Sequence, residues 1–372
     1  MNRRNEPLED DGEDLPPPAD TTSTRQGSPR TRRQDPPREE SSSLGYRWGW
    51  LGEQAWPEER PPPRRWLLLR PAAPQEESAH PRGFLPLGKV GMLAAAGGVG
   101  KTMALVQLAV SVATGRDWLE HYTVPTESRG PVLLALGEED EEEVRRRLYD
   151  IREGLELSPE EWGELKRKLL VLPLAGQAVQ LVSAQGKDRR PEETPFFREL
   201  RQRIEGMGVD WRLLVLDPLS RWAGPETEID NFAATRFVAA VESLAQVRGR
   251  PTVLLAHHTT KAARRGLDAG EATAARGASA LTDGVRWVAN LLKTEGSPLG
   301  LSLVKTNYTA EAPDLPLKRG NSGVLRALTH QEAARFEPKK ASPRKIPEPV
   351  RPTRTQTTPK VWDNDDPNQP AF

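Results

Sequence analysis

Short apolar runs separated by amphipathic stretches set the rhythm of the chain from Trp66 onward. Lys89–Leu93, Val132–Leu136, Leu169–Leu174, Leu213–Leu216 and Val253–Ala256 are too short for helices and almost free of polar residues. That is the pattern of strands buried on both faces of a parallel sheet. Helical periodicity lies between them, at Met103–Ala113, around Val144–Leu148, and at Pro159–Lys168, Pro195–Gly206 and Asp230–Val247. Strands alternating with helices predict an α/β fold in which a central, mostly parallel twisted sheet is flanked by helices. Around this frame the pattern predicts an edge strand at Trp66–Leu69 and a helix running from Arg276 to about Asn290. Strands at Leu291–Lys293, Leu299–Lys305 and Gly323–Leu325 would close the sheet, and Gly176–Glu193 and Arg221–Ile229 read as loops.

Composition divides the chain into a core and two tails. Residues 1–65 are Pro, Ser, Arg, Asp and Glu with few aliphatics, so they cannot bury enough surface to offset their ordering entropy. Beyond Phe336 the composition is again Pro, Lys, Arg and Thr, then acidic. The expected organisation is a disordered tail at 1–65, one folded domain at 66–335 and a second disordered tail at 336–372. Tyr46–Leu51 places aromatics in the first tail and reads as a docking peptide or a loose clamp on the core. The run Arg25–Arg33 reads as a solvated basic segment that could brush DNA.

The 53 basic residues balance the 53 acidic ones, so nucleic-acid affinity would have to come from a local basic surface. Cysteine is absent, which excludes disulfides and thiolate metal sites. No apolar run reaches membrane-spanning length and Met1–Asp14 is polar and acidic. A cytoplasmic protein is expected.

The candidate chemistry begins at Ala94–Thr102, Ala-Ala-Ala-Gly-Gly-Val-Gly-Lys-Thr, between a predicted strand and a predicted helix. Glycines there let several backbone N–H groups point into one concavity that a polyphosphate fills, and the helix behind adds the positive end of its dipole. Gly97, Gly98, Val99, Gly100, Lys101, Thr102 and Met103 form this nucleotide-binding set. Lys101 would reach the β- and γ-phosphates, and the Thr102 hydroxyl would sit on a magnesium ion. Ala95 stands where the G-x-x-x-x-G-K-[ST] pattern has its first glycine, so the loop is a variant with a negative φ expected at that position.

Three further strand ends complete the constellation. Leu213–Leu216 ends in Asp217, a candidate magnesium-shell acid. Val132–Leu136 runs into Gly137-Glu138-Glu139-Asp140, whose acidic residues also suit the first turn of a helix. The strand at 251–256 ends in His257-His258, two of only five histidines, at the sheet edge where open α/β folds bind ligands. One of the two reads as a γ-phosphate sensor. Downstream, Lys261–Ala275 has loop composition and carries Lys261, Arg264 and Arg265.

In this order the elements resemble the RecA-like P-loop ATPases of the plasmid RepA hexameric replicative helicase family, across about Trp66 to Leu328. The resemblance is carried by Gly97–Thr102, Glu138-Glu139, Leu213–Ser220, His257–Lys261, Arg276–Trp287 and Lys305–Tyr308. It implies ATP and Mg2+ as cofactors. It also implies Glu138 as the residue that polarises the attacking water, Arg147 as a further pocket arginine, and Arg276 as a finger into a neighbouring subunit's nucleotide. A finger supplied from outside implies a homo-oligomeric ring, hexameric by this resemblance, with Lys261, Arg264 and Arg265 lining its channel against single-stranded DNA. The expected function is an ATP-hydrolysing DNA helicase or DNA-stimulated ATPase of a replicon or mobile element. Its rival is a regulatory ATPase of the same fold that remodels or scaffolds a protein complex through its tails.

Overall fold

The computed structural model describes residues 59–71, 82–184, 190–259, 279–293, 298–310 and 312–336. The chain divides into two units at Pro62, and the fold below belongs to the unit that begins at Pro63. Residues 1–58 and 337–372 of the expected tails, with the aromatic stretch Tyr46–Leu51 and the basic run Arg25–Arg33, lie outside the described residues, as do the basic loop with Lys261, Arg264 and Arg265, and Arg276.

In chain order the strands and helices are β1 (Trp66–Leu69), β2 (Gly83–Pro86), β3 (Val90–Ala95), α1 (Lys101–Thr114), β4 (Val132–Leu136), α2 (Glu141–Gly154), α3 (Pro159–Lys168) and β5 (Leu169–Pro173). They continue with β6 (Val182–Ala184), β7 (Pro191–Glu193), α4 (Pro195–Gly206), β8 (Leu213–Asp217), α5 (Leu219–Trp222), α6 (Asn231–Leu244) and β9 (Thr252–His258). The last are α7 (Ser279–Gly284), β10 (Trp287–Lys293), β11 (Leu299–Thr306), β12 (Leu315–Arg319), β13 (Leu325–Ala327) and α8 (His330–Ala333).

Among the described residues, nine strands form the central sheet in the order β13-β12-β11-β10-β3-β9-β8-β4-β5. The pairs from β10 through β5 are parallel, and β10 to β13 are joined antiparallel. This is the mixed, mostly parallel, helix-flanked sheet that the alternating pattern predicts. Each central strand feeds both faces. In β8, Leu213 and Val215 join one core while Leu214 and Leu216 join the other, and β4 and β9 alternate in the same way. The period of two explains why these segments are apolar throughout. One core packs α1, α2 and α3 against the sheet, and the other packs α4 and α6.

Local chemistry sets the helix starts. Asp140 caps α2 by accepting from the Glu143 N–H, and Ser158 and Glu161 form a reciprocal capping box on α3. The segment Thr194-Pro195 starts α4 with a threonine cap and a proline in the first turn.

Several expectations need correction. The helix predicted to run on to about Asn290 ends at Gly284, and 287–293 is the strand β10, buried at Trp287, Val288, Ala289 and Leu291. Those positions face two different cores, so an apolar run that suits a helix stripe is equally a two-faced strand. Trp66–Leu69 is no edge of the main sheet: it pairs antiparallel with β2 in a separate ribbon, with Leu67 and Leu68 buried. The stretch 176–193 holds the short antiparallel pair β6–β7, and 221–229 a 3₁₀ turn at Pro225–Glu228. β12 was not anticipated, because Leu-Pro-Leu-Lys-Arg offers only two apolar positions. No helix among the described residues is long and apolar enough to cross a membrane.

One polar residue in the core ties the two ends of the domain together. Gln107 of α1 is 2% exposed. Its amide nitrogen donates to the Leu325 carbonyl at 2.8 Å, and its amide oxygen accepts from the Leu325 N–H, also at 2.8 Å. The pair satisfies both backbone groups of a residue in the edge strand β13. Gln107→Ala leaves both unsatisfied, at a cost of about 2–4 kcal/mol. Urea denaturation should show that loss of stability, with the midpoint falling and the slope unchanged.

Candidate nucleotide-binding site

The site is built at the carboxyl ends of the parallel strands. β3 ends at Ala95, and residues 96–100 turn the chain into α1. Gly98 (φ 76°) and Gly100 (φ 112°) adopt the left-handed conformation that side chains resist. Ala95 is the last residue of an extended, buried strand, and its carbonyl accepts from the Thr259 N–H of the chain leaving β9. Extended backbone admits any residue, so the position where the motif has glycine tolerates alanine. A Cβ on Gly97 or Gly98 would meet nothing within 4 Å, which leaves an open concavity above the loop.

Register brings the other strand ends to that concavity. β9 lies between β3 and β8, pairing with each in parallel, and β4 flanks β8 with Leu136 opposite Asp217. Gly97, Gly98, Gly100, Lys101, Thr102, Met103, Glu138, Arg147, Asp217 and His258 line one cavity of about 410 Å³. The sequence-predicted residues that the structure describes thus converge, with two refinements, while Arg276 lies outside the described residues. Val99 packs against the core beneath the loop. Successive strand residues point to opposite faces, so His258 lines the cavity while His257 is buried and offers its carbonyl to Lys101 Nζ at 3.4 Å.

The electrostatic centre is the pair Lys101 and Asp217. Nζ and Oδ1 are 3.9 Å apart, and the side chains are 8% and 5% exposed. Burial pushes the Lys101 pKa down, and Asp217 and Glu138 partly oppose the shift. Burial likewise pushes Asp217 up, against the pull of Lys101 and of the neighbouring Thr102 hydroxyl. Asp217 Oδ2 is buried with no hydrogen-bond partner among the described residues. A buried carboxylate oxygen left in this state fits a cation. Thr102 and Asp217 are the small oxygen set that magnesium takes from protein when phosphates and water complete its shell.

Glu138 follows Gly137 at the end of β4 and is half exposed, with Oε1 3.6 Å from Arg221 Nε. Arg147 is held by Glu139 at 2.6 Å and Glu143 at 3.2 Å, which aims it at the cavity from α2. The adjacent acids 138 and 139 are therefore separated by their partners: Glu139 holds an arginine and Glu138 faces the loop. Arg319 and Gly323 also line the cavity and escaped the sequence reading. Their neighbourhood carries no motif, and more than 200 residues separate them from the loop they touch; only the sheet order brings them there.

A glycine-rich loop between strand and helix, a buried Lys–Asp pair and an acid at the adjacent strand end are the arrangement of a P-loop ATPase. The chain belongs to the AAA domain family, whose sequence profile matches residues 54–264, more than half of its length. Among solved structures it is similar to a KaiC-like protein from the hyperthermophilic archaeon Pyrococcus horikoshii OT3. That similarity has a TM-score of 0.41 and 15% identity and covers 67% of this chain and 92% of the other.

The depressed Lys101 pKa sets a pH dependence. A bound polyphosphate favours charged lysine, so nucleotide binding takes up a proton once solution pH approaches the folded-state pKa. ADP affinity should fall as pH rises through the alkaline range, beginning below the ordinary lysine value of 10.5. Calorimetric titrations in buffers of different ionisation enthalpy measure the uptake, which Lys101→Met removes.

Proposed function

We propose that the protein hydrolyses ATP to ADP and phosphate as a ring-forming, single-stranded-DNA-stimulated ATPase of the RepA helicase type, acting in DNA replication or on a mobile element. The observation that carries the hydrolytic part is the convergence of Lys101, Glu138, Asp217 and His258 on one cavity with the glycine-rich loop. Membership of the AAA domain family supports the same reading.

The chemistry follows from these positions. Backbone N–H groups of residues 97–102 and the Lys101 ammonium neutralise the phosphates and hold them in line for attack. Thr102 and Asp217 would hold a magnesium ion, which would supply further charge neutralisation. Glu138 orients a water and accepts its proton, and its half-exposed place at the strand end leaves room for that water. His258 senses the γ-phosphate from the strand between the two motif strands. Arg276 of an adjacent copy completes the charge, so turnover depends on assembly, by about 10³-fold or more. Lys261, Arg264 and Arg265 hold single-stranded DNA by phosphate contacts that weaken with salt.

Glu138→Gln should retain nucleotide and lower kcat by about 10²- to 10⁴-fold. Turnover with and without single-stranded DNA, together with the mass of the protein in nucleotide, tests the remainder. Stimulation that disappears in the double variant Arg264→Ala, Arg265→Ala supports the DNA-dependent motor. Turnover indifferent to DNA in an assembled ring points to a protein-remodelling ATPase that works through its charged tails.

A further inference from the structure

The hairpin β12–β13 brings a second cation to the phosphate loop. Its turn is closed by the Gly320 N–H donating to the Val324 carbonyl at 2.8 Å, with Gly323 at φ 79°. Arg319, the last residue of β12, donates from Nη1 to the Gly98 carbonyl at 3.3 Å. A Cβ at Gly100 would lie 2.8 Å from its Nη2, so glycine at that position also makes room for the guanidinium. Gly323 sits over Met103, where an added Cβ would be 3.3 Å from the methionine methyl.

The hairpin is held against the nucleotide-binding helix. Gln107 of α1 pairs both ways with the Leu325 backbone, and Arg326 donates to the Gly154 carbonyl at the end of α2. Arg319 therefore projects from a fixed support onto the loop. Among the described residues its polar contact is the single bond to Gly98, a neutral carbonyl that brings no counter-charge. A guanidinium carries five donors in a planar fork that matches phosphate oxygens, and one carbonyl occupies one of them. The cavity it lines is the one to which Lys101 and the loop already contribute.

We propose that Arg319 is a nucleotide-binding residue acting in cis, its guanidinium gripping the phosphate chain from the Gly98–Gly100 side while Lys101 grips it from the Asp217 side. This rests on the reading of the cavity as a nucleotide site and adds a residue that the loop motif does not contain. A cis arginine lets a single subunit retain nucleotide before a neighbour supplies Arg276. It also ties occupancy of the site to the position of the β12–β13 hairpin.

Titration of the full-length protein with fluorescent ADP, in wild type, Arg319→Gln, Arg319→Lys and Lys101→Ala, tests this. Glutamine keeps a donor for the Gly98 carbonyl but removes the charge, so affinity should fall about 10- to 100-fold, and lysine should recover part of the loss. The Tm of Arg319→Gln should match wild type, because the side chain is exposed. Wild-type affinity in Arg319→Gln would make the arginine a buttress of the loop and overturn the proposal. So would failure of Arg319→Gln to fold, which would make the contact structural. If Lys101→Ala abolishes binding while Arg319→Gln leaves it intact, the proposal fails and the nucleotide site stands. If wild type binds no ADP, both fail.

Discussion

The structure depends on keeping a lysine and an aspartate close together at the bottom of a cavity where neither charge is well hydrated. Lys101 and Asp217 are 3.9 Å apart and almost entirely buried, and burial works against the charge of each. Such a pair is costly unless additional partners satisfy what the two groups leave over. Here the remainder is specific: an ammonium with one long bond to a carbonyl, and a carboxylate oxygen with no hydrogen-bond partner among the described residues. A nucleotide and its cation would supply both missing partners.

Sheet order makes that pair possible. The strand bearing Asp217 is separated from the phosphate-loop strand by β9, and parallel register brings all three carboxyl ends to one edge. The intervening strand then donates twice, through the His257 carbonyl to Lys101 and through the His258 side chain to the cavity. The neighbouring strand β4 aligns Leu136 with Asp217, which places Glu138 two residues beyond the edge. One register thus fixes four functional groups, and a slip of one residue would turn each side chain to the opposite face.

The antiparallel extension beyond β10 does different work. It closes the far side of the sheet and returns the chain to α1, where Gln107 pins β13. That return carries Arg319 and Gly323 back to the loop. The Arg319–Gly98 bond thus joins the hairpin to the phosphate loop, although they lie at distant points of the chain.

The alternation of buried strands and helices, the phosphate loop, and the strand ends bearing Glu138, Asp217 and the histidine pair are all legible in the order of residues. Each of these is local: a short two-faced apolar run, or a glycine spacing that only a tight turn before a helix requires. Tertiary structure alone decided which histidine faces the cavity, how Glu139 and Glu138 divide their partners, and that 287–293 is a strand rather than the end of a helix. It alone brought Arg319 to the loop. The physical reason is common to all four: side-chain direction follows from register and strand neighbours, and those depend on pairings made across the whole domain. An apolar run shows that a segment is buried, but not against what.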